Sequence, residues 1–171
     1  MSTQSWHKVC VERKDSPMDT TTLRGTCQIC LRNIGTKTGR VAYHGYKRPH
    51  RGWQTGSCFG AMYRPLEVAC DALNPAIDGL ASHIIRTTKH LEELEANPPA
   101  TLSRRDAYGR VSGTYERPEG FDTSRKPASY RVGYESEYWH TITSLQGEVR
   151  ACAADVAVLE ERLANWRAKA A

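Results

Sequence analysis

Seam positions recur alternately four and three residues apart from Leu66 through Cys70, Leu73, Ile77, Leu80, Ile84, Thr87 and Leu91 to Leu94, the heptad spacing of one helix face. A second seam of equal length runs from Tyr138 through Ile142, Leu145, Val149, Cys152, Val156, Leu159 and Leu163 to Trp166. Two matched seams in one chain predict helices over 65–96 and 137–171 that fold back as a long antiparallel coiled-coil hairpin. Leu66 then lies beside Trp166 and Leu94 beside Tyr138. In that register Cys70 meets Leu163 and Cys152 meets Leu80, so both cysteines read as core hydrophobes and not as a disulfide pair. Asn74-Pro75 falls inside the first seam. Pro75 removes a backbone donor and crowds the preceding turn, which predicts a kink, with Gly79 adding slack. The same seams are also compatible with pairing between chains, as a homodimer.

Between the seams, Asn97-Pro98-Pro99 ends the first helix, and 97–136 is too long for a simple hairpin loop. Arg104, Arg105, Arg110, Arg117, Arg125, Lys126 and Arg131 alternate there with Tyr108, Tyr115, Phe121, Tyr130 and Tyr134. Short strands are expected at 108–111 and 114–117, turning on Ser112-Gly113. Interleaved Arg and Tyr suit stacking on bases or gripping a protein partner, with Arg104 and Arg105 as candidates. A solvated, partly ordered loop has the same composition.

Ahead of the helices the period disappears and the chemistry begins. Residues 1–22 read as a polar arm, with an edge strand at 8–11. His7 and Cys10 have ligand spacing but also suit a surface histidine and a small buried cysteine. Residues 23–64 read as a separate module. Cys27 and Cys30 form a Cys-x-x-Cys knuckle, a turn is expected at 35–39, a strand at 40–46, and Cys58 just ahead of a helix. This is the layout of a treble clef or related zinc ribbon. Thiolates and imidazole in a tetrahedral set select zinc over hard cations, and no open position is demanded, so one structural zinc is expected. Cys27, Cys30 and Cys58 supply three ligands. His44 is the expected fourth, about midway between Cys30 and Cys58, with His50 as the alternative. The fold class is therefore mainly α, with a small α+β zinc module on the helical hairpin.

Charge sharpens this picture. The chain of 171 residues carries a formal net charge of +5. No acidic residue lies between Asp19 and Glu67, whereas Arg24, Arg32, Lys37, Arg40, Lys47, Arg48, Arg51 and Arg64 do. Such a local excess favours polyanions near the module. The candidate contact residues are Arg40, Lys47, Arg48, Arg51, Trp53 and Arg64. The first fifteen residues lack a signal-peptide core, and no apolar run approaches the length needed to span a bilayer. A cytoplasmic protein is expected, with its six cysteines serving metal or core in a reducing compartment.

The strings CQIC, AYHGYKRP and GWQTGSCFGAMYRPLEV carry a resemblance. They are similar to a motif of uncharacterised phage and prophage proteins: Cys-x-x-Cys, then His-Gly-Tyr-x-Arg-Pro, then Gln-Thr-x-Ser-Cys-x-Gly. It covers about 25–70 and does not extend through the second half. The resemblance implies a phage or mobile-element protein, acting in the host cytoplasm, and carries no settled activity.

Three functional readings follow. The first is a non-enzymatic nucleic-acid-binding module, in which cations meet phosphate while Tyr43, Tyr46, Trp53, Phe59 and Tyr63 offer stacking faces. The second is a phage protein that docks on a host machine, such as a defence nuclease, a CRISPR-type effector or a polymerase. The acidic helix faces (Glu92, Glu93, Glu95, Glu160, Glu161) are too sparse for a DNA mimic and read as solvated. The third is a His-metal nuclease with His44 or His50 as base. Its magnesium would need carboxylate oxygen, which 20–66 lacks, and a His44 bound to zinc is not a free base.

Overall fold

The computed structural model describes residues 24–47, 54–124 and 132–167. The N-terminal arm, with His7, Cys10 and the strand expected at 8–11, lies outside them. So do Arg48, His50, Arg51 and Trp53. The described residues form two helices and small antiparallel sheets. It divides into two compact units, Met1–Gly79 with Val156–Ala171, and Leu80–Asp155, the boundary falling within both helices.

In the first unit, strands β1 (Arg24–Thr26), β2 (Asn33–Lys37) and β3 (Arg40–Val41) form one antiparallel sheet in that order. Strands β4 (Gly45–Lys47) and β5 (Gln54–Ser57) form a separate ribbon, Gly45 opposite Ser57. The strand expected at 40–46 is thus broken in two. Val41 turns back to pair with the segment after Cys58, donating to Tyr63 O and accepting from Met62 N, and His44 falls in the gap. Gly25 sits where an added Cβ would come within 2.6 Å of Pro65, so the sheet packs directly on the chain leaving the second knuckle.

Helix α1 (Leu73–Ala96) starts later than the seam suggests. Leu66 and Cys70 keep seam positions but lie outside any helix, where Pro65, Ala69 and Cys70 are buried against the unit's own core. Cys70 is disulfide-bonded, which corrects its reading as a core hydrophobe alone and the expectation that every cysteine serves metal or core. A kink at Pro75 is therefore corrected. Pro75 lies in the first turn, where its missing N–H would have had no helical acceptor, so it breaks no bond. Nor does a helix follow Cys58 directly. Residues 59–62 are a turn, and the helix begins only at Leu73.

Helix α2 (Tyr134–Asn165) opens with Glu135 and Glu137 in its first turn and carries Arg162 in its last, charges that oppose the helix dipole at both ends. Every described seam position on both helices is buried or half-buried, while Ile85 and Val158, off the seam, are exposed. In the second unit the helices run antiparallel. Tyr138 donates to Leu94 O at 3.3 Å, and His83 Nε2 lies 2.8 Å from Glu148 Oε1.

The region expected at 97–136 as strand or solvated loop is a packed hairpin in its described part. Strands β6 (Thr101–Arg105) and β7 (Val111–Glu116) pair with Leu102 opposite Tyr115. The turn is at 106–110, not at Ser112-Gly113. Asp106 Oδ1 accepts from Tyr108 N and Arg110 N, and Gly109 takes φ +78°, the Asx-type turn that Asp and Gly favour. Leu94, Leu102, Tyr115, Phe121 and Trp139 pack around buried Tyr134, Tyr138 and Ile142. Phe121 meets both tyrosine rings edge-on at 5.0 Å, an arrangement favoured by ring quadrupoles. Tyr134 also donates to Pro99 O, tying the start of α2 to the chain leaving α1.

Candidate metal centre

Two tight knuckles build the centre. In the first, Leu31 N donates to Cys27 O at 3.0 Å and Leu31 takes φ +57°. In the second, Ala61 N donates to Cys58 O at 3.1 Å and Met62 takes φ +67°. The left-handed residue stands four positions after the leading cysteine in both, a conformation a side chain adopts only when its surroundings hold it there. The first turn closes through the fourth residue after its leading cysteine and the second through the third, and they differ also at one ligand position. Where the first has Cys30, the second has Ala61, and His44 makes up the set.

The donor atoms of Cys27, Cys30, His44 and Cys58 all lie within 4.8 Å of one another, close enough to hold a metal ion. Cys58 N donates to His44 O at 2.9 Å, so the β4–β5 ribbon carries the third and fourth ligands to the first knuckle together. His44 Nδ1 lies 2.8 Å from Ala42 O. A proton on Nδ1 satisfies that carbonyl and leaves the Nε2 lone pair for a metal, with Nε2 3.4 Å from Cys30 Sγ. All three cysteines are buried. Gly60 explains the close approach of the knuckles: a Cβ there would stand 2.4 Å from Cys27 Sγ.

The sulfurs are electrostatically coupled. Cys27 and Cys58 Sγ lie 3.7 Å apart. The hydrogen bond from the Cys58 thiol holds Cys27 down at about 4, against the opposing effect of burial. The same bond, together with burial, pushes Cys58 up. One proton bridges two sulfurs because two buried thiolates this close repel, and a dication removes the need for it. Cations already lean on the knuckle. Arg32 Nε donates to Cys30 Sγ at 3.5 Å, and its Nη2 donates to Gly45 O. Arg162 Nη1, from the last turn of α2, donates to Gln28 O and, at 2.8 Å, to Ile29 O. Burial works against the Arg162 charge, and the Cys27 and Cys30 thiolates favour it.

Gln28, between the knuckle cysteines, is fully buried. Its Nε2 donates to Arg64 O at 2.8 Å and Asp71 Oδ1 at 2.6 Å, and its Oε1 accepts from Ala72 N at 2.7 Å. The knuckle thus caps the chain entering α1. Glu67 closes the opposite edge, accepting from Thr26 N at 3.1 Å and from the Thr26 hydroxyl.

The candidate contact residues separate into groups. Arg40 is exposed, its Nη1 donating to Met62 O at 2.9 Å. Arg64 is half-buried and paired with Asp71 at 3.2 Å. Arg104 pairs with Glu137 at 3.6 Å, and Arg105 Nη1 donates to Gly109 O at 2.7 Å, so both are engaged in holding the hairpin. Lys47 lies at the end of β4, and Arg48, Arg51 and Trp53 lie outside the described residues. Sequence reasoning missed Gln28, Arg32, Gly60 and Arg162. The first three stand within two residues of a ligand, which is the available signal for them, whereas nothing in the sequence links Arg162 to residue 28. No helix of the described residues is long and apolar enough to cross a membrane. No protein-family model, curated protein or solved structure matches the chain.

Proposed function

We propose that this protein is a zinc-stabilised, basic nucleic-acid-binding protein of phage or mobile-element type that acts by binding. Three thiolates and one imidazole, all buried or half-buried, suit a closed structural zinc site in a ribbon-like fold. The paired helical seams suit a coiled-coil hairpin. The observation that carries the binding reading is the charge of the module around the four donors. It has no carboxylate from residue 20 to Glu67, and Arg24, Lys37 and Arg40 are exposed on it. A Cys3His site with Zn²⁺ has a formal charge of about −1, which Arg32 and Arg162 offset from close range, so the site does not neutralise the exposed cations. Arg24 donates to Asn33 and Arg40 to Met62 O, and both keep their charge at the surface. Binding of this kind falls steeply with salt and reads sequence weakly.

The test measures zinc per chain by elemental analysis and retention of random DNA and RNA at two salt concentrations. One zinc with salt-sensitive retention is the expected outcome. Cys58→Ser should lose the metal and lower the melting temperature; unchanged metal content would sink the site. Retention unaltered when Arg24, Lys37 and Arg40 are all replaced by Ala would sink the basic surface. A protein that carries zinc and retains no nucleic acid would turn the reading to the host-machine alternative.

A further inference from the structure

Large apolar side chains crowd the outside of the metal centre. Leu31 directly follows Cys30, Tyr43 directly precedes His44, Phe59 directly follows Cys58, and Met62 closes the second knuckle. Their exposures are 45%, 78%, 49% and 44%. Scattered single apolar residues on a surface need no explanation, but four attached to one cluster of ligands form a patch. Tyr43 and Phe59 flank a single hydrogen bond, Cys58 N to His44 O, so the two rings are carried by adjacent backbone. Tyr63 stacks against Phe59, with centroids 5.6 Å apart and planes 28° apart, and steadies that ring. The patch has a cation at its border: the Arg40 guanidinium is anchored on the carbonyl of Met62 itself.

We infer that this patch is a stacking platform for single-stranded nucleic acid, with bases on Tyr43 and Phe59 and a backbone phosphate on Arg40. The inference rests on the nucleic-acid reading above and narrows it. Rings stack only on base faces, which a single strand offers and a duplex hides in its interior. Duplex binding would use the cations and leave four apolar side chains in water. The described residues before Leu73 also contain no helix to enter a major groove. A protein partner would cover the same apolar area. Arg40 at the patch border and the run of cations without a carboxylate over residues 20–66 favour an anionic ligand that also carries flat apolar faces.

The experiment uses the full chain loaded with zinc, at one fixed moderate salt, titrated into fluorescein-labelled oligothymidylate, oligouridylate and a mixed-sequence duplex. Single strands should bind more tightly than the duplex. Comparison of the two single strands assigns DNA or RNA. Tyr43→Ala and Phe59→Ala should each weaken single-strand binding by roughly five- to a hundredfold while zinc content and duplex binding stay unchanged. Phe59→Tyr and Tyr43→Trp should restore it, which separates loss of a ring from loss of fold. Equal affinity for strand and duplex, or Ala variants that bind as the parent does, would overturn the platform. If Arg40→Ala still weakens binding in that case, the broader nucleic-acid reading stands. No binding by any probe overturns both and points to a protein face.

Discussion

Gln28 and Ala72 are joined by a 2.7 Å hydrogen bond from the Ala72 amide to the Gln28 side-chain oxygen, so the residue between two metal ligands also fixes the entry into α1. Its amide nitrogen serves Arg64 and Asp71 at the same time. Replacement of Gln28 by Met, of similar size but without these groups, strands the buried amide of Ala72 and the carbonyl of Arg64. The expected loss is about 2–4 kcal/mol of unfolding free energy by denaturant titration. Metal stoichiometry should remain one per chain, because no donor atom changes. An unchanged midpoint would show that the three bonds are not formed.

Two glycines offer opposite outcomes for the same change. At Gly60 a Cβ would collide with Cys27 Sγ, so Gly60→Ala must displace a ligand or a knuckle. Metal affinity, measured by competition with a chelating dye, should fall by roughly tenfold to a hundredfold. At Gly79, inside α1, nothing lies within 4 Å of the added atom. Gly79→Ala should therefore stabilise the chain by about 0.5–1 kcal/mol through helix propensity.

The equivalence of the two knuckles is open to a swap. His44→Ala removes one donor, and metal binding should weaken strongly. Ala61 holds in the second knuckle the place of Cys30 in the first, and it is buried. Adding Ala61→Cys to His44→Ala should return one zinc per chain, now on four sulfurs. Cobalt substitution would report the change, since the sulfur-to-metal absorption should intensify relative to the parent. No recovery of metal content would show that the two turns are not interchangeable.

The second unit should fail in alkali. Burial pushes the phenols of Tyr134 and Tyr138 above their ordinary value near 10, and neighbouring Glu95 adds to the effect at Tyr138. Their folded-state pKa values are raised, so the native state holds protons that the unfolded chain has lost. Stability is then fully present below about pH 10, the unfolded value, and declines as pH rises toward the folded values. Tyrosinate absorbance for these two rings should appear together with loss of the near-ultraviolet aromatic signal, not before it. Reversible ionisation with the fold intact would contradict the buried placement.

The ligand set was legible because a Cys-x-x-Cys pair with a further cysteine and histidine downstream is a metal-ligand pattern, and the structure brings together Cys27, Cys30, His44 and Cys58. The disulfide at Cys70 was not legible, because the heptad spacing around it read as core. The seam register was legible too. Leu66 and Trp166, paired on paper, are joined through the Trp166 indole N–H and the Leu66 carbonyl at 2.8 Å. Heptad spacing did not reveal where the helix begins. Leu66, half-buried, and Cys70, buried and disulfide-bonded, belong to the first unit's own packing and fall on the seam without being helical. The hairpin was displaced because Gly113 looked like a turn. Gly113 instead gives room to the Tyr115 side chain, whose hydroxyl is 2.8 Å from where a Cβ would lie. The turn signal was Asp106 with Gly109, three residues on. Gln28 and Arg162 act over separations of 44 and 134 residues, which no local pattern encodes.

The Arg162 contact bears on the order in which the chain matures. All four donors have been synthesised by residue 58, so a nascent chain already has what it needs to grip a metal. The carbonyls of Gln28 and Ile29 wait for a guanidinium 134 and 133 residues later. Until α2 is complete, a knuckle that had taken up an ion would still lack the cation that closes over its backbone. An early-acquired metal would then serve as a seed on which the last helical turn settles.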